Sequence, residues 1–259
     1  MKIYARGITD VGKKRDHNED AFLCKPSLPL FAVCDGMGGH NAGEVASELA
    51  VEALTGFYEA GKEDSEITWP FRPKYREDLE PAAAQLEVAI RWANLQVKAK
   101  GDKTSGCHGM GSTCVAMTLS KGKVIIGNVG DSRCYRLRNN VLTQLTKDQS
   151  MHQQLIDQGV PADQVVQSPY KNVILQALGM KEDVAPDMTV KKYLPGDVYL
   201  LCSDGLTNEL TDEEIQECLE PVVKSGQDIS VALGSLIRQT LDRGARDNVS
   251  CVVVYVSLE

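Results

Sequence analysis

Apolar positions recur along the chain in two rhythms. Short unbroken apolar runs of strand length punctuate it: Phe31–Cys34, Thr113–Leu119, Lys123–Val129, Val198–Ser203 and Val249–Val256. Runs this short, bounded by turn residues, predict buried strands. Lys2–Val11 reads as an opening strand and Ala21–Cys24 as a second. Cys134–Arg138, Asn139-Asn140 and Val141–Leu145 read as a hairpin, because Asn-Asn suits the positive backbone angles of a tight turn. Lys121-Gly122 makes another such turn, and Val184–Tyr193 a further strand before a Pro195-Gly196-Asp197 turn. The second rhythm is helical. Ala42, Val45, Ala46, Leu49, Ala53 and Phe57 form one stripe, and Leu86, Ala89, Ile90, Ala93 and Val97 a second. Ile229, Leu233, Leu236, Ile237 and Leu241 form a last one, stopped by Gly244, and Thr211 to Glu214 resembles a capping box.

Residues 61 to 78 predict a surface loop, and 101 to 109 a polar connection. Residues 148 to 180 lose strand character and predict a flap of helix fragments and loops. No repeat or low-complexity linker divides the chain, so one domain over 1–259 is expected. Hairpin pairing with helical stripes predicts an α+β fold of antiparallel sheets with helices outside.

The apolar runs carry the chemistry at their ends. Phe31–Cys34 leads to Asp35, then Gly36-Met37-Gly38-Gly39-His40; Lys123–Val129 leads through Gly130 to Asp131; Val198–Ser203 leads to Asp204; and Asp247-Asn248 precedes the last run. Taken singly, each aspartate is a turn residue or a helix cap. Four of them with one grammar predict a cluster of hard oxygen ligands for Mg²⁺ or Mn²⁺, provided those ends share one edge. Glu19 and Asp20 enter the hairpin whose partner strand carries Asp35, so pairing brings both acids near it.

Composition narrows the reading. Hydrophobic residues make up 42% and charged residues 25% of 259, ordinary for a globular chain. The net charge of −8 argues against nucleic acid as a partner. No apolar stretch approaches the roughly 18 residues of a membrane span, and the first residues lack the apolar core of a signal peptide; a cytoplasmic protein is expected. None of the eight cysteines forms a C-x-x-C pair. Cys34, Cys114, Cys202 and Cys251 lie inside apolar runs, which predicts buried free thiols.

In chain order, Arg15-Asp16-His17-Asn18-Glu19-Asp20, Asp35–His40, Gly111-Ser112-Thr113, Gly130-Asp131-Ser132-Arg133, Ser203–Thr207 and Arg246-Asp247-Asn248 resemble the motifs of the metal-dependent (type 2C, PPM) serine/threonine protein phosphatases of the compact bacterial kind. The resemblance implies a four-layer α-β-β-α sandwich of two antiparallel sheets, with a dinuclear Mn²⁺/Mg²⁺ centre at one edge. By position, Asp35 would bridge two ions and the Gly36 carbonyl would bind one. Asp204 and Asp247 would complete the first, Glu19 would face the second, and Asp20 would orient water. Asp131 with Asp204 resembles the ligands of a third ion. Arg15 would hold the substrate phosphate, and His40 would be the general acid, with metal-bound water as the rival. The implied reaction is hydrolysis of phosphoserine and phosphothreonine in proteins by a metal-activated water, which two cations suit. Implied partners are phosphorylated proteins, serine/threonine kinases and their substrates, met by a monomer. Two alternatives stay open: a metal-binding relative without catalysis, and a two-metal phosphohydrolase acting on small molecules. Two departures stand out: Gln149 in Asp148-Gln149-Ser150, where many relatives carry histidine, and Gln176 in place of a frequent arginine.

Overall fold

The computed structural model describes residues 2–39, 41–63, 70, 72–73, 81–161, 164–165, 173–225 and 228–257. Two antiparallel sheets pack face to face. The first contains β1 (Ile3–Asp10), β7 (Arg133–Arg138), β8 (Val141–Gln144), β10 (Val198–Cys202) and β11 (Val249–Val256), in the order β1-β11-β10-β7-β8. The second contains β2 (Asp20–Lys25), β3 (Leu30–Met37), β5 (Cys114–Ser120), β6 (Lys123–Val129) and β9 (Asp187–Lys192), in the order β2-β3-β5-β6-β9, with the short β4 (Gly111–Ser112) also paired to β3. Helices α1 (Ala42–Glu63) and α2 (Pro81–Lys103) cover the second sheet. The one-turn helix α4 (Asp204–Thr207), α5 (Asp212–Ser225) and α6 (Ile229–Asp242) cover the first; α3 (Met151–Asp157) lies in the segment between β8 and β9. This is the expected four-layer sandwich.

Both faces of each sheet are covered, which explains the unbroken apolar runs. Along β3, Phe31 and Val33 enter the core between the sheets, while Leu30, Ala32 and Cys34 enter the core beneath α1 and α2. Along β10, Tyr199 and Leu201 point inward, while Val198, Leu200 and Cys202 meet α5 and α6. Alternate residues of a strand face opposite ways, so each run fills two cores at once. Fully burying a side chain such as Phe31 contributes about 1.5–3 kcal/mol, which makes slippage of either register costly.

The turns follow their residues. Asn139 and Asn140 hold φ of +52° and +57°, as a two-residue hairpin requires. Thr211 and Glu214 form the capping box, the Thr211 amide donating to Glu214 Oε2 at 2.9 Å. All eight cysteines are free thiols, and seven are buried.

Some boundaries differ from expectation. The polar connection at 101–109 begins inside α2, which runs to Lys103, and α1 continues through residues 61–63. In the last turn of α2, Lys100, Asp102 and Lys103 are exposed, and hydrophobic periodicity carries no signal there. Most of the expected loop at 61–78, and residues 162–163 and 166–172 of the expected flap, lie outside the described residues. Strand β3 does not stop at Asp35 but continues to Met37, because Gly36 and Met37 pair with Ser112 and Gly111 of β4.

Candidate metal centre

The site grows out of strand pairing. On β2 and β3, Asp20 and Asp35 are direct cross-strand partners. Cys114 pairs with Val129, so the turn carrying Asp131 leaves β6 at the same end of the sheet. In the other sheet Cys202 pairs with Cys251, which puts Asp204, just after β10, beside Asp247, just before β11. The two edges are stitched by hydroxyls: Ser203 Oγ donates to Asp20 Oδ2 at 2.7 Å, and the Ser250 amide donates to Ser203 Oγ at 3.0 Å. Glu19 is brought in by Asn248, whose Oδ1 accepts the Glu19 amide at 2.8 Å while its Nδ2 donates to the Val11 and His17 carbonyls.

Asp35 is fixed through its backbone. Its amide donates to Thr113 Oγ1 at 2.9 Å, and its carbonyl accepts from the Thr113 amide at 2.8 Å and from Ser112 Oγ at 3.1 Å. Gly36 then passes under the start of α1. A Cβ there would lie 2.0 Å from the Gly43 carbonyl oxygen, so only glycine fits. The Gly36 amide donates to the Glu19 carbonyl at 2.9 Å, and the Gly43 amide bonds the Glu19 carboxylate.

The electrostatics are severe. Burial, then Asp20, Asp204, Asp131 and Asp247, push the Asp35 carboxyl well above its ordinary range. Burial, opposed by hydroxyl donors and reinforced by Asp204 and Asp247, pushes Asp20 up to about 7. Burial with Asp204 and Asp148 does the same to Asp131, also to about 7. Asp204 and Glu19 are raised as well, chiefly by burial. Buried carboxylates without counter-charge are among the costliest arrangements a fold can hold.

The residues fit a cation-binding role. Asp20 Oδ1 and Asp204 Oδ1 are buried with no hydrogen-bond partner, while Asp35 lies within bonding reach of Asp204. Two ionised carboxylates that close need a proton or a cation between them. Among the described residues, no three acid, histidine or cysteine side chains close on one point as a finished cage. The acids gather along the shared edge of the two sheets instead.

Of the residues expected from sequence, Glu19, Asp20, Asp35, Gly36, Asp131, Asp204 and Asp247 all meet at this edge. Arg15 is there too, but its Nη2 donates to Asp247 Oδ2 at 2.8 Å, and its side chain is 49% exposed. His40 lies outside the described residues. The supporting roles of Ser203, Thr113 and Asn248 were not read from sequence. Their signal was a hydroxyl or amide inside or directly beside an apolar run, where a polar group needs a partner.

Comparison with known proteins agrees with this architecture. A family model described as protein phosphatase 2C matches residues 12–241. The chain belongs to the protein phosphatase 2C family. This phosphatase is 37% identical over 260 residues to the serine/threonine phosphatase stp of Listeria welshimeri, covering 99% of this chain and 97% of the relative. The serine/threonine phosphatase PstP/Ppp of Mycobacterium tuberculosis superposes with a TM-score of 0.84 at 32% identity, covering 99% of this chain and all of that one. The catalytic domain of PstP in complex with two manganese ions superposes at 0.81, with 33% identity and 98% of each chain covered. No described helix of this phosphatase is long and apolar enough to cross a membrane.

Proposed function

We propose that this phosphatase hydrolyses phosphoserine and phosphothreonine in proteins at a dinuclear Mn²⁺ or Mg²⁺ centre on the shared edge of its two sheets. It is an enzyme, a protein serine/threonine phosphatase. One observation carries the mechanism: Asp20, Asp35, Asp131 and Asp204 are all raised, first by burial and then by neighbouring carboxylates, while one oxygen of Asp20 and one of Asp204 stay unpaired. When bound, the ions supply charge neutralisation and an activated water for in-line displacement at phosphorus.

In this reading Asp35 would be shared by the two ions and the Gly36 carbonyl would help hold one. Asp204 and Asp247 would help hold the first, and Glu19 would serve the second. Asp20, with one oxygen engaged by Ser203, would orient water. Asp131 with Asp204 would serve a third ion. Arg15, half exposed at the rim, offers a planar fork to the phosphate oxygens. The leaving alkoxide takes its proton from His40 or from water. We read residues 1–259 as one catalytic domain. It would act as a monomer in the cytoplasm, reversing serine/threonine kinases of the same cell.

The test is turnover of a phosphopeptide panel, of nucleotides and of para-nitrophenyl phosphate with Mn²⁺, Mg²⁺ or chelator. Phosphopeptide turnover that needs the cation, and that falls at least about 100-fold in Asp204→Asn, is the expected result. Turnover of nucleotides but not phosphopeptides would make it a small-molecule phosphohydrolase. Cation binding without any turnover would make it a non-catalytic relative.

A further inference from the structure

Asp131 sits on a turn that is held from both sides. After it, Ser132 Oγ lies 2.7 Å from Thr113 Oγ1, the same hydroxyl that accepts the Asp35 amide. Before it, Gly130 is buried with φ at +101°, and a Cβ there would lie 2.7 Å from Thr113 Cγ2. Both backbone groups of Gly130 bond Gln149, and its carbonyl also accepts from Asn128 Nδ2 at 3.2 Å. Its amide donates to Gln149 Oε1 at 2.9 Å, and its carbonyl accepts the Gln149 amide at 2.9 Å.

Gln149 is also the junction to a segment distant in sequence. Its Oε1 accepts a second bond from Gln176 Nε2 at 3.0 Å, its Nε2 donates to Asp187 Oδ2 at 2.9 Å, and its carbonyl accepts the Leu175 amide at 2.8 Å. The far end of the 173–178 segment is bonded to Ser112, with the Leu178 amide donating to the Ser112 carbonyl at 2.8 Å. Ser112 Oγ in turn donates to the Asp35 carbonyl. The segment therefore runs from the anchor of Asp131 to the anchor of Asp35.

A glutamine that merely filled surface space would not use both ends of its amide and both backbone groups at once. Removing its Oε1 leaves the buried Gly130 amide unpaired, on a backbone conformation that glycine alone tolerates well. The carboxylate one residue on would lose its fixed position. Groups that orient an ion ligand, without touching the ion, commonly tune affinity as strongly as this.

We propose that Gln149 is a positioning residue for Asp131, coupling attachment of the 173–178 segment to the affinity of the divalent ion that Asp131 serves. The proposal rests on the reading of Asp131 as an ion ligand given above. The coupling is reciprocal: whatever the segment adds to ion affinity, the ion returns as protection of the segment.

The experiment is a calorimetric Mn²⁺ titration of the full chain as wild type, Asp131→Asn, Gln149→Met and Gln176→Met. Gln149→Met keeps the length of the side chain and removes its polar ends. Asp131→Asn and Gln149→Met should each weaken the same class of Mn²⁺ sites by about 10–100-fold, with the other classes unchanged. Gln176→Met should weaken it less. A second readout is independent of turnover: saturating Mn²⁺ should slow amide exchange at Leu175 in wild type and not in Asp131→Asn. If Asp131→Asn loses one class while folded Gln149→Met retains it, the coupling is wrong and the reading of Asp131 stands. If Asp131→Asn binds every class as wild type does, that reading fails and the coupling with it. Should Gln149→Met fail to fold, Gln176→Met decides: unchanged Mn²⁺ affinity with unchanged exchange at Leu175 overturns the proposal.

Discussion

Asp35 is a residue whose surroundings oppose its own charge. It is half-buried, its backbone is pinned by Thr113 and Ser112, and four other carboxylates press on it. Such a group is a candidate for binding rather than a contributor to folding. Asp35→Asn keeps the shape and removes the charge. Without metal at neutral pH it should raise Tm by about 2–4 °C, equivalent to about 1 kcal/mol for a chain of this size, while abolishing cation-dependent turnover. Differential scanning calorimetry in chelator, beside a turnover assay, checks both halves; a lower Tm would show that the site does not strain the metal-free fold. Arg15 teaches the opposite lesson. Sequence placed it near the acids through its spacing from Glu19 and Asp20, and it is near them. Its partner Asp247 lies 232 positions away, and nothing local in the sequence announces that pairing.

Among the elements, the junction of β3 with α1 matters most. The apolar run that announces β3 ends at Cys34, so pattern alone stops the strand at Asp35. The strand in fact carries Gly36 and Met37 into pairing with β4, a two-residue strand too short for any periodicity to show. That extension lets Gly36 slide beneath the first turn of α1, and α1 then offers the Gly43 amide to Glu19. Gly36→Ala would drive a Cβ into the Gly43 carbonyl. Overpacking of this kind should lower stability by about 1–3 kcal/mol and should reduce turnover further, because Asp35 and Glu19 move with the displaced helix. Chemical denaturation and kinetics on the same preparation test it; a variant as stable and active as wild type would mean that the junction is slack. The hairpin turn at Asn139-Asn140 and the capping box at Thr211 were legible beforehand because their chemistry is confined to a few neighbouring residues. The end of α2 was not, since an exposed polar turn leaves no trace in hydrophobic spacing.

For the whole molecule, the acid cluster links folding to protons and cations. Asp20 and Asp131 are raised to about 7 in the folded chain, against about 3.9 when unfolded. Between these values the folded state binds more protons than the unfolded state, so metal-free stability falls as pH rises through that window. A divalent cation bound as proposed would displace those protons and become the counter-charge, so its stabilising effect should grow over the same range. The Tm in chelator should therefore be lower at about pH 7.5 than at about pH 5.5, and the increment from saturating Mn²⁺ should be larger at the higher pH. Thermal melts at both values decide it; an increment that shrank with pH would contradict the arrangement of charges described.

The chain alone determined which stretches become strands and helices, that the strands are covered on both faces, and that acids stand at their ends in a recurring grammar. These are local properties: alternation and helical spacing record which side of each element leaves water, and turn residues record where it stops. Only the tertiary structure decided that the acids share one edge, that Ser203 holds Asp20 from 183 positions away, and that Gln149 clamps the turn of Asp131. Such contacts depend on strand order and register across two sheets, which are set by how distant apolar faces pack together.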